Sequence, residues 1–361
     1  MQNQHGGNLR AAQAKFGLSA EEFLDFSANI NPLGPSAGVL QTLKDNLHRI
    51  KDYPDPDCKD LRQAYSSHWQ VPVEYLLAGN GAVELIYVLM QALKPQRVLL
   101  LAPTFSEYAT AAQAAGTQIV HYMLERDRDW RPDVDQLLAQ MSGVDMVILC
   151  NPNNPTGQLL SKSELLRLVG GALDSKVTVV LDEAFVDFLP DQLSVSMMSE
   201  ITNFANLVIL RSLTKFLAIP GLRLGLLVGH PELIGQLHGY KDPWSVNVLA
   251  QLAGIQGLKD HNYITQSINM IQQEKSYLYQ AISSIKQLHP FPPTVNYMLM
   301  ELTNTSWTSV GLVAELGQRG ILVRDCANYK NLTDKYIRVA IKDHEANVKL
   351  VNCLHHILAE D

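Results

Sequence analysis

Short apolar runs recur between residues 97 and 229 of the chain. They are rich in Val, Ile and Leu and too short for helices, which is typical of strands buried on both faces of a parallel sheet. Segments with helical periodicity, such as residues 106–116 and 161–173, lie between them. The alternation predicts a mostly parallel central sheet flanked by helices. The predicted strands span residues 97–103, 118–124, 146–152, 177–184, 207–212 and 224–229.

The pattern changes after Pro231. Long helical stretches occupy residues 251–258 and 262–285, and a β-rich tail follows at residues 296–302, 320–325 and 335–341. A chain of 361 residues is also too long for one small core. We therefore predict an N-terminal arm (residues 1–40), a large domain (41–239) and a smaller α+β C-terminal domain (240–361).

Composition and charge narrow the partners that the chain can have. There are 29 Lys and Arg against 36 Asp and Glu, and the formal charge of −7 gives no general attraction to nucleic acid or to an anionic membrane. The N-terminus is polar where a secretory signal is apolar, and no segment reaches the ~18 consecutive apolar residues of a membrane span. The four cysteines lack the spacing of a disulfide framework or a zinc site. We therefore expect a cytoplasmic protein without a metal.

The stretch LRSLTKFLAIPGLRLG (residues 210–225) carries cations in an apolar setting. A strand that ends near Leu210 would deliver Ser212, Thr214 and Lys215 into the following loop, and Arg223 lies a few residues further on. Ligands of parallel sheets bind at the carboxyl ends of the strands. Two hydroxyls, an amine and a guanidinium at such an edge predict an anion site that contains a nucleophile.

Three further loops at the same predicted edge carry polar or glycine residues. In GNGAVELI (residues 79–86), the backbone N–H groups around Gly81, Ala82 and Val83 can approach a phosphate at the start of a helix. Asn154, in NPNNPTG, offers an amide, and Asp182, at the end of an apolar strand, needs a cationic or hydrogen-bonding partner. Taken singly, these features are also typical of a helix-start turn, an ordinary turn, a helix cap and a surface lysine.

Together, the four loops supply the groups needed to hold pyridoxal 5′-phosphate. Asp182 would keep the pyridine nitrogen protonated, Asn154 would bind the 3′ oxygen and Lys215 would bind the aldehyde. Phe105, after the strand at residues 97–103, is placed to stack on the ring. The groups for the phosphate are Ser212, Thr214, Arg223 and the backbone of Gly81, Ala82 and Val83.

The motifs NPNNPTG, DEA and SLTK, with an arginine eight residues beyond the lysine, resemble those of fold-type I, aspartate-aminotransferase-like enzymes over almost the entire chain. Two groups within that superfamily are similar to the chain, the threonine-phosphate decarboxylases of cobalamin synthesis and the histidinol-phosphate aminotransferases. HGGN (residues 5–8), DFSANINPLG (25–34) and PWSVN (243–247) resemble the decarboxylases. Phe185 favours the same group, because the aminotransferases usually have a tyrosine there that hydrogen-bonds the cofactor oxygen.

The resemblance implies an enzyme that decarboxylates L-threonine O-3-phosphate to (R)-1-amino-2-propanol O-2-phosphate. This substrate has two anionic ends. Arg338 matches the superfamily arginine that pairs with the substrate carboxylate. His5, Asn29 and Arg324 are the matching residues for the substrate phosphate, and Asn154 also belongs to the implied substrate site.

The resemblance also implies a homodimer, because Tyr53 corresponds to a tyrosine that reaches the cofactor phosphate of the neighbouring subunit. Ala82 and Val83 depart from the family, whose members often carry a hydroxyl residue after the glycine, so only backbone donors remain there. Two alternatives stay open, an aminotransferase acting on histidinol phosphate and a non-catalytic binding or regulatory protein that keeps the fold. Intact Lys215 and Asp182 count against the second.

Overall fold

The computed structural model describes residues 5–359. Residues 1–4 of the predicted arm and residues 360–361 of the predicted small domain lie outside the described residues. The strands of the described part are β1 (Leu24–Asp25), β2 (Leu76–Gly79), β3 (Arg97–Ala102), β4 (Gln118–Met123), β5 (Met146–Cys150), β6 (Thr178–Asp182), β7 (Leu207–Ser212), β8 (Gly225–Gly229), β9 (Leu288–Pro290), β10 (Tyr297–Leu302), β11 (Ile321–Leu322), β12 (Arg324–Asp325) and β13 (Tyr336–Ala340).

The α-helices of the same residues cover both halves of the chain. They are α1 (Leu9–Phe16), α2 (Ala37–Asn46), α3 (Lys59–Trp69), α4 (Ala82–Leu93), α5 (Glu107–Ala114), α6 (Val134–Met141), α7 (Lys162–Asp174), α8 (Leu213–Phe216), α9 (Pro231–His238), α10 (Val248–Gly257), α11 (His261–Ser283), α12 (Ser309–Gln318) and α13 (His344–Ala359). Within residues 5–359, no helix has the length and apolar character needed to cross a membrane.

A seven-stranded sheet forms the centre of the larger half, in the order β2-β8-β7-β6-β5-β3-β4. Neighbouring strands are parallel except at β8, which pairs antiparallel with both β2 and β7. All six predicted strands are present, and the prediction of a mostly parallel sheet is confirmed. The structure adds β2, whose sequence LLAG is too short to form a distinct apolar run.

Alternate side chains of the sheet face two separate cores, which explains why whole strands are apolar. In β3, Leu99 and Leu101 belong to one core, and Val98 and Leu100 belong to the other. Helices α6 and α7 contribute to the first core, whereas α4, α5 and α9 cover the second. Because both faces are buried, the loops at the strand ends are the part of the sheet that can meet a ligand.

The C-terminal part contains a four-stranded antiparallel sheet in the order β12-β13-β10-β9, with contacts to α11 and α12. The N-terminal segment joins this part, because β1 pairs parallel with β11 and the backbone N–H of Ala340 donates to the Phe26 carbonyl. The sequence pattern predicted β10, β13 and α11 but missed α12 and α13. Helix α10, beyond the predicted boundary at residue 240, packs on α2 and α3. The domain limits therefore stay a prediction.

A buried ion cluster joins the end of β7 to the loop after β6. The Arg211 guanidinium donates to the carboxylate of Glu183, at 3.1 Å, and to that of Asp187. Glu183 also accepts a hydrogen bond from the Ser196 hydroxyl at 2.6 Å, and the Trp69 ring centroid lies 5.3 Å from the guanidinium carbon. Burial raises the pKa of Glu183, and the Arg211 charge opposes that shift. Glu183 therefore depends on Arg211 and on its hydrogen-bond donors to stay ionised in the core.

Replacing Arg211 with Met should destabilise the protein by about 3–5 kcal/mol, because the buried Glu183 and the partly buried Asp187 would lose their common cation. Urea unfolding followed by circular dichroism measures the change. Arg167→Met is the matched control, because Arg167 pairs with Asp135 at the surface, where the two side chains are 57% and 78% exposed. The control should lose less than ~1 kcal/mol. Equal losses in the two variants would contradict the importance of the buried cluster.

Candidate active site

The carboxyl ends of β2, β5, β6 and β7 bring four of the predicted loops to one edge of the sheet. Lys215 lies close enough to Asp182 and Arg223 for both charges to act on its amine. The Arg223 guanidinium in turn lies against Gly81, in the turn before α4. The structure therefore brings these four predicted residues together from distant parts of the chain.

Asp182, the last residue of β6, is buried and its carboxylate is held through both oxygens. Oδ2 accepts a hydrogen bond from the Tyr108 hydroxyl at 2.6 Å, and Oδ1 accepts one from the Ala184 backbone N–H at 3.0 Å. Burial raises the pKa of this carboxyl group, while Tyr108, Lys215 and Ala184 oppose the shift because they favour the charged form. Each oxygen keeps acceptor capacity for a cationic group of a ligand.

Lys215 lies in α8, a short helix that continues directly from β7. Its Nζ donates to the Ser212 hydroxyl at 2.8 Å, and the Ser212 and Thr214 hydroxyl oxygens are 2.9 Å apart. Burial lowers the pKa of the lysine; Asp182 opposes that shift, and Arg223 adds to it. A lowered pKa increases the fraction of neutral amine, which is the nucleophilic form.

Arg223 and the start of α4 form a cradle of hydrogen-bond donors. Gly81 has a φ of +81°, and a Cβ at this position would lie 2.6 Å from a guanidinium nitrogen of Arg223. A Cβ at Gly225, on β8, would lie 2.4 Å from the backbone nitrogen of Ala82. The first N–H groups of a helix have no acceptor within it, so Ala82 and Val83 can offer theirs beside the guanidinium. This donor set suits a phosphate.

Arg324 and Arg338 occupy directly opposite positions on the antiparallel strands β12 and β13. Both are buried, with 6% and 5% of their surface exposed. Their hydrogen-bond acceptors are neutral oxygens of Asn328, Asp325, Asn154 and Ser27. Two buried like charges on neighbouring strands are unfavourable unless anions bind them. The pair is therefore a candidate site for a ligand with two anionic groups.

Two of the predicted site residues are buried asparagines. The Asn154 side-chain oxygen accepts hydrogen bonds from Arg338 and, at 3.4 Å, from the Tyr329 hydroxyl, which links the loop after β5 to the C-terminal sheet. The Asn29 carbonyl accepts from the Asn296 side chain at 3.1 Å, whereas the Asn29 side-chain oxygen has no partner in the described residues. A buried polar atom without a partner is costly, so Asn29 is suited to a ligand that donates a hydrogen bond.

His5 and Arg324 line one cavity of about 670 Å³. The His5 Nε2 atom lies 2.9 Å from a Glu107 carboxylate oxygen, and its ring centroid lies 5.9 Å from that of Phe105. His5 thus shares a cavity with Arg324, a residue predicted to bind the substrate phosphate, and also lies near Phe105, the predicted stacking residue. The sequence did not predict its pairing with Glu107. Phe105 is partly buried and packs edge-on against Tyr108, with ring centroids 5.5 Å apart.

Tyr53 lies on the surface of the chain. It is 81% exposed and packs against Trp244, with ring centroids 4.9 Å apart. Leu47 and Ile50, shortly before it, are also exposed. Because the ring contact of Tyr53 is with Trp244 and not with a site residue, its action at a neighbouring subunit stays a prediction.

Sequence reasoning missed two tyrosines at the site, Tyr108 beside Asp182 and Tyr329 beside Asn154. Tyr108 ends the stretch APTFSEY, and Tyr329 ends RDCANY, which resembles the decarboxylases. The sequence assigned neither tyrosine a role, because their hydrogen-bond partners are distant in the chain. A signal did exist for Tyr108, which is one large residue with a polar tip in an otherwise small-residue helical stretch, three positions after Phe105. A buried tyrosine hydroxyl usually has a hydrogen-bond partner, and the nearby strand ends offered Asp182.

Known proteins are similar to nearly the whole chain. The family described as aminotransferase class I and II matches residues 21–354. The threonine-phosphate decarboxylase of Salmonella typhimurium is 38% identical over 98% of this chain and 96% of its own. The solved histidinol-phosphate aminotransferase from Clostridium acetobutylicum has a TM-score of 0.88 at 31% identity, covering 94% of this chain and 100% of its own. The L-threonine-O-3-phosphate decarboxylase from Porphyromonas gingivalis has a TM-score of 0.83 at 28% identity, covering 92% and 99%. The predicted fold is confirmed.

Gly81→Ala should weaken binding of pyridoxal 5′-phosphate by at least about tenfold, the equivalent of ~1.4 kcal/mol, because the new Cβ would displace the Arg223 guanidinium. Titration of the apoprotein with the cofactor, followed by absorbance, gives the Kd. Gly116→Ala is the matched control, since Gly116 also has a positive φ of +74° but nothing lies within 4 Å of the added carbon. The same Kd in both variants would show that the cradle does not hold the phosphate.

Proposed function

The chain belongs to the aminotransferase class I and II family, and we propose that it is a pyridoxal-phosphate-dependent decarboxylase of L-threonine O-3-phosphate. It would release CO2 and (R)-1-amino-2-propanol O-2-phosphate for cobalamin biosynthesis. The opposed pair of Arg324 and Arg338 carries the proposal, because this substrate has both a carboxylate and a phosphate. Near full-length similarity to the Salmonella decarboxylase supports it. A cytoplasmic location is part of the proposal, since all four cysteines are free thiols.

The residues present fit pyridoxal 5′-phosphate, the cofactor of this family. The buried Asp182 carboxylate would hold the ring nitrogen, and the Lys215 amine would hold the aldehyde carbon. The cradle of Arg223 and Gly81, which a Cβ would fill, would hold the phosphate. When bound, the cofactor supplies an aldehyde that captures the substrate amine and a protonated ring that accepts the electron pair of the broken bond.

The two arginines would orient the substrate. Arg338 can bind the carboxylate through two parallel hydrogen bonds, replacing its present neutral acceptors with charged ones. Arg324 and His5, which line the same cavity, would bind the phosphate. Holding both ends of the substrate would fix the direction of the bond from Cα to the carboxylate. That direction would select the bond from Cα to the carboxylate for cleavage, with release of CO2.

Asp182 would stabilise the charge on the ring nitrogen, and Lys215 would transfer the proton at Cα. Asp182, kept ionised by its hydrogen bonds, would stabilise positive charge on the ring nitrogen. After CO2 has left, the Lys215 Nζ would donate a proton to Cα. Its lowered pKa favours that release of a proton. In an aminotransferase the same amine would instead remove the proton from Cα.

A second candidate activity is an aminotransferase acting on histidinol phosphate, favoured by the similarity to the Clostridium enzyme. Phe185 opposes it. Its ring centroid lies 5.6 Å from the Lys215 Nζ and 4.8 Å from the Tyr297 ring, and a phenyl ring cannot donate a hydrogen bond to the cofactor oxygen. The distinction between the two activities therefore rests on which bond of the substrate is aligned.

Protein loaded with the cofactor should release labelled CO2 from carboxyl-labelled L-threonine O-3-phosphate over many turnovers without a keto acid. The amine product should accumulate in equal amount. Lys215→Ala is the control, since it keeps the substrate arginines but lacks the amine. No release, with conversion of the cofactor to its pyridoxamine form, would contradict the proposal, and turnover of histidinol phosphate with 2-oxoglutarate would establish the second candidate.

We also propose that two copies of the chain form a homodimer in which Tyr53 completes the neighbouring site. Leu47, Ile50, Tyr53 and Trp244 are exposed and apolar or aromatic. The ring contact of Tyr53 with Trp244 joins two separate segments into one surface. Exposed apolar groups that cluster in this way favour burial against a partner.

Mixing two inactive variants tests this arrangement. In a heterodimer of Lys215→Ala and Tyr53→Ala subunits, one site would combine both defects and the other would have both native residues. Co-expression with two affinity tags should therefore yield heterodimers with up to about half the wild-type activity, because one of their two sites would be complete. Sedimentation measures the dimer itself. Heterodimers without activity would mean that Tyr53 acts within its own chain, and monomers would overturn the dimer.

A further inference from the structure

Tyr108 is a buried tyrosine that the proposed mechanism has not used. It lies in α5 with 0% of its surface exposed, and its hydroxyl donates to Asp182 at 2.6 Å. We propose that Tyr108 is a positioning residue that keeps the Asp182 carboxylate ionised and aimed at the ring nitrogen of the cofactor. This inference rests on the proposed function only for the identity of the cofactor.

The hydrogen bonds of Asp182 leave each carboxylate oxygen able to accept one further donor. Oδ2 receives the Tyr108 hydroxyl and Oδ1 receives the Ala184 N–H, so each oxygen has one donor from the protein. A carboxylate oxygen can accept a second donor, and a protonated ring nitrogen is such a donor. The two protein donors fix the plane of the carboxylate, and Tyr108 supplies the one that comes from a side chain.

The groups around Asp182 make this donor necessary. Cys150 on β5 and Tyr297 on β10 also face the carboxylate, and burial raises the pKa of both, that of Cys150 to about 12. Both are therefore neutral, and Lys215 is the nearby cation that acts on Asp182. In the proposed enzyme the cofactor engages that lysine, so the Tyr108 hydrogen bond becomes the principal side-chain contact that favours the charged carboxylate.

A tyrosine suits this task because its own protonation does not change. Burial raises the pKa of Tyr108 well above its ordinary value, and the Asp182 charge raises it further. The hydroxyl therefore remains a neutral donor wherever the protein is folded, and it adds no charge that would compete with the ring nitrogen.

The core fixes the position of the hydroxyl. Tyr108 packs edge-on against Phe105 and shares the apolar core of α4 and α5 with Ala111 and Ala112. Phe105 is the predicted stacking residue for the cofactor ring. The segment that contains Phe105 and Tyr108 would thus act on the cofactor ring in two ways. Phe105 would stack on the face of the ring, and Tyr108 would position Asp182 against the ring nitrogen.

The test uses Tyr108→Phe, which removes the hydroxyl and keeps the ring. Without substrate, we expect the Kd for the cofactor to rise roughly 10-fold to 100-fold, as for the loss of a hydrogen bond to a charged group. Without the Tyr108 hydroxyl, Asp182 would favour the protonated ring nitrogen less, and a ring without that proton is less electron-withdrawing. The absorbance of the bound cofactor changes when the nitrogen that joins it to Lys215 loses its proton. The pH midpoint of this change should therefore move to higher pH.

Tyr65→Phe is the matched control. Tyr65 is also buried, and its hydroxyl donates to the Gly254 carbonyl at 3.2 Å, so the variant loses a core hydrogen bond at another place. It should match the wild type in Kd and in the pH midpoint. Wild-type values for both quantities in Tyr108→Phe, or equal changes in the two variants, would overturn the inference.

A second variant covers the case in which Tyr108→Phe does not fold. Genetic incorporation of 3-fluorotyrosine at position 108 keeps the shape and makes the hydroxyl a stronger donor. The pH midpoint should then move to lower pH, opposite to the effect of Phe, and no shift or a shift to higher pH would overturn the inference. These measurements need no substrate. A protein that binds the cofactor but releases no CO2 would therefore contradict the proposed function without contradicting the role of Tyr108.

Discussion

The hydrogen bonding of the buried Asp182 carboxyl group is the interaction on which the candidate site depends. Asp182 follows three apolar residues of β6, and burial there favours the neutral form of its carboxyl group. The Tyr108 hydroxyl, the Ala184 N–H and the Lys215 amine act against that tendency. These groups come from α5, the loop after β6 and α8, so the order of the sheet itself determines whether the carboxylate can stay charged.

Arg338 connects three parts of the chain. Its guanidinium contacts Asn154, in the loop after β5, and the Ser27 carbonyl, near β1, while its backbone lies in β13. One buried cation thus joins the large sheet, the N-terminal segment and the C-terminal sheet. Because these contacts are to neutral oxygens, an anion that binds Arg338 would change the contacts of all three parts at once.

The same framework serves a family with more than one reaction. The chain is similar to proteins named as decarboxylases and to proteins named as aminotransferases. The fold alone does not separate the two activities. What differs within such a frame is the small set of groups that orient the substrate and contact the cofactor oxygen. Phe185, packed against Tyr297 and close to the Lys215 amine, is a side chain of this site that cannot donate a hydrogen bond.

The sequence alone determined the mostly parallel sheet, because buried strands need continuous apolar runs, and it identified the strand-end residues Asp182, Lys215 and Arg223 from their unusual setting. It could not show that β8 runs antiparallel, since a buried strand has the same pattern in either direction. Nor could it pair Tyr108 with Asp182, His5 with Glu107, or Arg324 with Arg338. Local patterns report whether a residue is buried, but which polar groups meet depends on strand order and on the packing of helices distant in the chain.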